Sequence, residues 1–440
     1  MKRFFGVFFF LAMAYQGFSQ TITSTFNSGT DGWTAPNSVT GSFTWVSTGG
    51  NPGGFVRATD PPSAAAPIMW TFNSPAAYDG NLTAYYNGTL QFDLQQGALR
   101  AAVTTVDVTL QSSSFVLSYT AVPTVYPAVA PGWTTYTIEL NELSGRWKDS
   151  FGANATPAEF NTLLATVTLI TIRGRYGTSS LTTGGLDNVI LQQFYVSSQP
   201  TGATVCDGTV VTLNAVGTGI GTITYQWQKF NGATGGWNDL TNGGGYSNVT
   251  QSTMSINTTG NFGAGNYRAK ISRTGANDIF SNPATVGINS LPAAPGTTPG
   301  SNCGPGTVTL TASGGSAGQY RWYTVPTGGT AIAGQSSATY SPTISSTTTY
   351  YVAINNGTCE SNRTSVVATI NPIPSAPGVT PGSNCGPGTV TLTASGGSAG
   401  QYRWYTVPTG GTAIAGQTNA TYSPTISITT TYYVSIDNGT

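Results

Sequence analysis

Apolar and polar positions alternate with a period of two along most of this chain. In residues 299–354 the runs Thr307–Ala312 (TVTLTA), Gln319–Thr324 (QYRWYT), Ala338–Ile344 and Thr347–Ile354 alternate between Gly- and Pro-containing turns, which predicts short antiparallel strands. The same pattern runs through Phe43–Val46, Gly54–Ala58, Ile68–Phe72, Thr89–Leu94, Val103–Leu110, Phe115–Tyr119, Trp133–Leu140, Val167–Arg173 and Leu186–Leu191. One segment departs from it. Thr156 followed by Pro157 and Glu159 forms a capping-box signal with proline at the first helical position, so Pro157–Leu164 is predicted as a helix. Many short strands with a single helix predict an all-β chain whose N-terminal part is a jelly-roll β-sandwich.

The C-terminal part is duplicated. Pro299–Gln335 and Pro381–Gln417 are identical, with an offset of 82 residues from Cys303 to Cys385. Each copy reads as a small sandwich with a buried tryptophan, Trp322 in the first, facing the strand that carries Tyr351. Cys303 precedes one strand of its copy and Cys359 follows another. In an exported protein this predicts a Cys303–Cys359 disulfide, the alternative being two buried thiols. Closing the 56 residues between them would stabilise the module by about 4 kcal/mol in the chain-entropy model. Cys385 repeats Cys303, and the residue after Thr440 would by the same offset repeat Cys359, so the sequence is expected to be a fragment. The Pro-punctuated segments Asn289–Pro295 and Asn371–Pro377 read as short, extended linkers of a semi-rigid stalk.

At 440 residues the chain is too long for one sandwich core and suits several domains. Only 7% of residues are charged, 15 basic against 15 acidic, so no net field favours nucleic acid or an anionic membrane. Residues 1–19 form a secretory signal: Lys2 and Arg3, an apolar run from Phe4 to Ala14, and the small residues Gly17 and Ser19 before a cut ahead of Gln20. After cleavage no segment is long and apolar enough to be a transmembrane helix. The chain has no histidine, which removes Ser-His-Asp and Cys-His catalysis and every His-containing metal site. Carboxylate-only glycoside hydrolysis survives that exclusion. Glu139 and Glu142 are close in sequence, but one ends a strand and the other sits in the following turn, so they read as solvated surface carboxylates.

Family resemblances sharpen these readings. The segments CGPGTVTLTASGG and RWYTVPTGGT, the TTTYYV strand, and Cys359 with Glu360 and Ser361 resemble the immunoglobulin-like domains found in series in bacterial surface proteins that use the type IX secretion route. That likeness implies spacing and adhesion. Residues 199–288 keep the same grammar, with Cys206 before VVTLNA, TYQWQ carrying Trp227, and Gly265–Ala269 (GNYRA). This segment looks like an immunoglobulin domain in which Tyr267 takes the place of the tyrosine near the start of the F strand. Ala269 stands where a bridge cysteine is common, so Cys206 is expected to be buried as a thiol or to pair outside the fragment.

Further upstream, DGW at Asp31–Trp33, GNPGGFVRATD at Gly50–Asp60, APIMWTFNSP with YDGNLTAYYNGTLQFDL, Gly132–Trp133, and TLITIRGRYG leading to GLDNVIL resemble the laminin IV type A (laminin B) domain. The resemblance implies an extracellular β-sandwich without catalytic duty. The expected organisation is a signal peptide at 1–19, a laminin-IV-like β-sandwich at 20–195, and an immunoglobulin-like domain at 196–290. Repeat 1 follows at 291–372 and a truncated repeat 2 at 373–440.

Three side-chain groups in the N-terminal domain invite chemistry. Asp31 and Asp187 are metal candidates, because related jelly rolls hold a structural calcium where the first and last strands meet; turn formation and strand capping explain the same residues. Trp147, in the polar segment Gly145–Ser150, is the candidate ligand-contact aromatic, with Trp45 and Trp70 expected inside. Arg173 and Arg175 are expected to snorkel at a strand edge. No catalytic residue and no cofactor are expected in residues 1–440. The sequence therefore predicts a secreted or cell-surface adhesion or structural protein, a laminin-like head on an immunoglobulin-like stalk that binds a glycan or extracellular protein and is attached to the outer surface through a missing C-terminus. The rival is the non-catalytic part of a larger secreted hydrolase.

Overall fold

Alternation puts Val56, Leu90, Phe92, Leu94 and Leu186 on one side of a pleated sheet, and all five are buried in a single core. The computed structural model describes residues 21–39, 42–59, 70–97, 106–121, 126–176 and 182–439. The expected signal at 1–19 lies outside these residues. Two compact units divide the chain, residues 1–288 and 289–440, each described by itself below.

The first unit opens with a sandwich of two sheets. Its strands are β1 (Thr21–Ser24), β2 (Thr44–Gly50), β3 (Gly53–Thr59), β4 (Thr71–Asn73), β5 (Thr89–Gln96), β6 (Val108–Ser112), β7 (Val116–Tyr119), β8 (Ala128–Val129), β9 (Thr134–Glu139), β10 (Trp147–Lys148), β11 (Val167–Arg173) and β12 (Thr183–Gln192). One sheet has seven strands in the order β2-β3-β12-β5-β8, with β1 also on β12 and β9 also on β5; the other has five, in the order β10-β7-β6-β11-β4. Between them lie Trp33, Trp70, Phe72, Tyr78, Leu110, Trp147, Phe160 and Ile172, all buried. At about 25 cal/mol per Å² of apolar surface, aromatic side chains of this size are the largest single contributors to such a core.

Helix α1 (Pro157–Leu164) forms where its start signal predicts. The Thr156 Oγ1 accepts the Glu159 N–H at 3.3 Å while the Glu159 carboxylate accepts the Thr156 N–H at 2.7 Å, closing the capping box. Phe160, Leu163 and Leu164 face the core.

The second module of this unit has its own core, built on Trp227, Met254, Ile256, Tyr267 and Ile271. Strand Ile223–Asn231 lies between Gly265–Arg273 and Gly236–Asp239 in one sheet; Thr253–Asn257 lies between Val210–Asn214 and Tyr246–Ser247 in the other. Tyr267 is buried and its hydroxyl donates to the Gly263 carbonyl, the tyrosine-corner contact of immunoglobulin sandwiches. Arg273, at the end of its strand, reaches the first sandwich: its guanidinium bonds both Glu139 oxygens at 2.7 and 2.6 Å and the Asn87 carbonyl at 2.7 Å. The Asn141 amide adds a bond to the Gly275 carbonyl at 2.7 Å. A bidentate pair of this kind, with Arg273 buried and Glu139 half-buried, fixes orientation as well as proximity.

In the second unit the first repeat is complete. Thr348–Ile354 pairs antiparallel with both Tyr320–Tyr323 and Thr364–Asn371, and Gly300–Cys303 runs parallel to Thr364–Asn371. Trp322 is fully buried opposite Val352. The second repeat preserves the antiparallel pair Tyr402–Tyr405 with Tyr433–Ile436 and the buried Trp404.

The cysteine frame differs from expectation. Cys303 pairs in register with Asn371 at one end of Thr364–Asn371, whereas Cys359 sits in the hairpin loop at the other end, where Asn355 bridges Glu360. Seven steps of about 3.3 Å put about 23 Å between them, far beyond the roughly 7 Å that a disulfide tolerates between Cα atoms. Cys359 is buried and Cys206 half-buried, and both are disulfide-bonded, so Cys206 is not a buried thiol; Cys303 and Cys385 stand exposed.

Candidate functional site

The outer face of the seven-stranded sheet collects the polar side chains that alternate with the core. Asp93 on β5 and Asp187 on β12 are direct cross-strand partners, and both are buried, at 3% and 0% exposure. Like charges in this position destabilise a sheet unless something solvates them. The β2–β3 turn does so. The Asn51 N–H donates to Asp187 Oδ2 at 2.6 Å and its side-chain amide to Asp93 Oδ2 at 3.1 Å. A bulge in β12 supplies the rest: Asn188, at φ +47°, gives its N–H to Asp187 Oδ1 at 2.8 Å and its amide to Asp93 Oδ2 at 2.9 Å. Glycine is required at position 50, since a Cβ there would stand 2.7 Å from Asp187 Oδ2 and 2.4 Å from the Gly54 carbonyl.

Burial pushes the Asp187 carboxyl up to about 6; the two backbone N–H bonds oppose this, and the charges of Asp93 and Asp31 add to it. Asp93 Oδ1 is buried with no hydrogen-bond partner.

Beside this cradle the same face carries an aromatic edge. Phe55 and Arg57 follow each other at alternate positions of β3 and so share the outer face. The Trp133 ring packs edge-on against Phe55 at 5.2 Å, and its Nε1 donates to the Gly49 carbonyl at 3.0 Å. Trp133 stays half-buried and Arg57 exposed. An anchored indole edge with a free guanidinium nearby offers stacking and directional hydrogen bonds, the combination that polar ligands with apolar faces require.

The sequence-predicted residues distribute differently. Asp31 and Asp187 come near enough to interact electrostatically, but Asp31 Oδ2 accepts the Phe26 N–H at 2.9 Å and both Asp187 oxygens accept backbone N–H groups. Among the described residues no group of three or more His, Cys, Asp or Glu side chains converges as metal ligands. These carboxylates pin turns to the sheet.

Trp147 is not an exposed aromatic. At 1% exposure it lies between Tyr119 and Phe160 with its Nε1 on the Glu139 carbonyl, because β10 joins the sheet edge and turns the indole inward while Lys148 points out. Trp45 is the reverse: on edge strand β2 it is 37% exposed, whereas Trp70 is internal as expected. Arg173 and Arg175 are buried rather than snorkelling; Arg173 pairs with Asp107 at 3.4 Å and lies over the Tyr176 ring. Glu139 is held by Arg273 and Glu142 accepts the Tyr86 hydroxyl at 2.8 Å, so each of this pair has a structural partner. The sequence marks Trp133 as the start of the Trp133–Leu140 run and as one of several tryptophans that invite sugar stacking; its anchoring to Gly49 is a tertiary contact that periodicity does not reveal.

Two family models match segments of this chain. The family Laminin B (Domain IV) matches residues 71–204, and the family Ig-like domain CHU_C associated matches residues 292–372 and 374–440. No curated protein matches the chain. Among solved structures, the L4b domain of human laminin alpha-2 is similar at 16% identity and a TM-score of 0.25, covering 29% of this chain and 71% of that one. A three-immunoglobulin structure of titin domains I67–I69 is similar at 15% identity and a TM-score of 0.26, covering 56% of this chain and 94% of that one. The chain carries a laminin B (domain IV) domain at 71–204 followed by tandem immunoglobulin-like CHU_C-associated domains.

Proposed function

We propose that this protein is an extracellular adhesion or structural protein whose laminin-like sandwich binds a glycan or protein ligand while its immunoglobulin-like modules act as spacers. The observation that carries this reading is the company of domains: a laminin B domain and tandem immunoglobulin-like domains, both of non-catalytic families. Two features of the site support it. The Glu139 and Glu142 carboxylates are engaged by Arg273 and Tyr86, which removes the pair best suited to glycoside hydrolysis. The outer face of the seven-stranded sheet presents Trp133 and Arg57 on a scaffold fixed by the Asn51–Asp187 turn contacts. Sites built on such rigid strands hold their geometry better than free loops do.

The experiment is a binding array of glycans and extracellular matrix proteins probed with the intact chain, alongside its Trp133→Ala and Arg57→Ala variants. A defined ligand class whose signal drops at least tenfold in both variants supports the proposal. A ligand that binds both variants as well as the parent overturns the assignment of the face, and a blank array overturns the binding role of the head.

A further inference from the structure

Surface cations ordinarily keep their charged heads in open water, but one on the module at residues 199–288 is clamped. Alternation along Gly265–Arg273 turns Tyr267, Ala269 and Ile271 into the core, so Arg268 and Lys270 lie on the outer face of the sheet. Arg268 sits directly across from Gln228, which in turn faces Asp239 on the next strand. The Arg268 Nε donates to Gln228 Oε1 at 2.8 Å, and the Gln228 amide donates to Asp239 Oδ1 at 2.7 Å. Gln228 is only 7% exposed, so packing fixes this relay. Aromatic rings complete the frame. The Arg268 guanidinium lies 4.4 Å from the Trp237 ring centre and 4.0 Å from that of Phe280, and Phe230 packs against Trp237 at 5.3 Å. Phe230 and Phe280 are exposed and Trp237 is half-buried. Stacking of this kind holds the planar guanidinium in one orientation. Its Nε is engaged, yet Nη1 and Nη2 have no acceptor among the described residues, and no carboxylate there pairs with Arg268. The neighbouring acids are taken: Asp239 by Gln228, and Asp278 by Lys270 at 3.3 Å, while Lys229 turns to the opposite side, over the Tyr267 ring. Burial pulls the Arg268 pKa down, the mark of a cation that has lost part of its hydration.

We propose that this face binds a carboxylated sugar: Nη1 and Nη2 of Arg268 grip the carboxylate as a bidentate pair, and the exposed rings of Phe230 and Phe280 pack against apolar faces of the sugar. A pre-oriented fork with two donors to spare matches a carboxylate in both charge and spacing. Flat aromatic rings beside it suit the C–H faces of a pyranose. Asp239 Oδ2, which has no protein donor, accepts a sugar hydroxyl. The charges on this face, Arg268 and Lys270 against Asp239 and Asp278, cancel, so no net field gathers polyanions and recognition rests on short-range geometry. A peptide added as a strand needs an open sheet edge, whereas Arg268 lies on a strand with neighbours on both sides. The site gives this module a binding duty of its own, separate from that of the laminin-like head.

The test follows the indole N–H signals of the whole chain by NMR, with the Trp237 signal assigned by its loss in Trp237→Phe. Methyl sialoside and methyl glucuronide are titrated against methyl glucoside, which lacks the carboxylate, and acetate, which lacks the ring. A carboxylated sugar is expected to shift the Trp237 signal saturably, with both controls at least about tenfold weaker; whichever of the two acidic sugars binds names the source of the carboxylate. Arg268→Lys, which keeps the charge and loses the fork, is expected to weaken binding by about tenfold or more while the other indole signals stay in place. No saturable shift with either acidic sugar up to about 20 mM overturns the proposal. Equal response to methyl glucoside overturns the role of the guanidinium, and unchanged binding by Arg268→Lys overturns the bidentate grip. Equal response to acetate overturns the sugar and reassigns the face to a bare carboxylate such as that of an acidic peptide. If the other indole signals move in Arg268→Lys, the comparison of acidic and neutral sugar on the parent decides alone.

Discussion

Replacing Asp187 by asparagine removes one of two buried carboxyl groups that face each other in the laminin-like sandwich. Asp187 faces Asp93 across the β5–β12 pair, and both are shielded from water. Its carboxyl is pushed up to about 6, burial being the main cause. The ordinary value in an unfolded chain is near 3.9. A folded-state value above the unfolded one means that the folded protein binds the extra proton between these two pH values. This group's contribution is therefore fully present below about pH 4 and is lost as pH rises to about 6. Two pH units of displacement correspond to about 3 kcal/mol.

The Asp187→Asn variant is expected to lose this slope. At pH 7.5 and above it trades the cost of a buried charge for one unmatched N–H contact of about 1–3 kcal/mol, which leaves its stability within about 2 kcal/mol of the parent. Pulse proteolysis in urea between pH 4 and 8, scored on fragments from residues 21–192, measures both proteins, and carboxyl carbon NMR of labelled aspartate follows the titration itself. Identical pH slopes in parent and variant, or an Asp187 that titrates near 4, would refute the reasoning.

Other outcomes follow from single contacts. Arg273→Met leaves the half-buried Glu139 without its partner and should destabilise the first unit by about 1.5–3 kcal/mol, whereas the double variant Arg273→Met, Glu139→Gln should recover part of that loss; urea midpoints of the four proteins in the cycle decide this. Gly174→Ala would place a Cβ 1.9 Å from the Trp70 ring, an overpacking expected to cost about 1–3 kcal/mol or more and to appear as a lower melting temperature. Peptide mapping without reduction should return Cys206 and Cys359 in disulfide-linked peptides, and a peptide linking Cys303 to Cys359 would contradict the strand geometry.

Local signals in the sequence carried a large part of the fold. The strands of the repeats, the capping box at Thr156 and the core position of Trp322 depend on near neighbours or on period-two alternation, and each is found where those signals place it; the place of Tyr267 comes from the immunoglobulin resemblance, and it too is buried at its corner. What failed depended on position within a sheet. Trp45 and Trp147 have similar local patterns, but one lies on an exposed edge and the other turns inward from an added strand, a distinction fixed only by strand order. The Cys303–Cys359 pairing failed for the same reason: both cysteines flank the same hairpin, but the parallel strand carries Cys303 to its far end. Asp93 has no local signature, because its importance comes from facing Asp187 across strands that are 94 residues apart in sequence. The Glu139–Arg273 clamp joins two modules and has no local signature.

The most direct test of the central claim is to locate the bound ligand and examine its fate. Once an array has identified a ligand, cross-linking mass spectrometry on the complex with the intact chain reports the contact residues, and chromatography of the released ligand reports its chemistry. The expected result is cross-links within residues 21–192, concentrated near Arg57 and Trp133, and a ligand recovered unchanged after prolonged incubation. Cross-links confined to residues 289–440, or a ligand recovered cleaved by the purified chain, would contradict it.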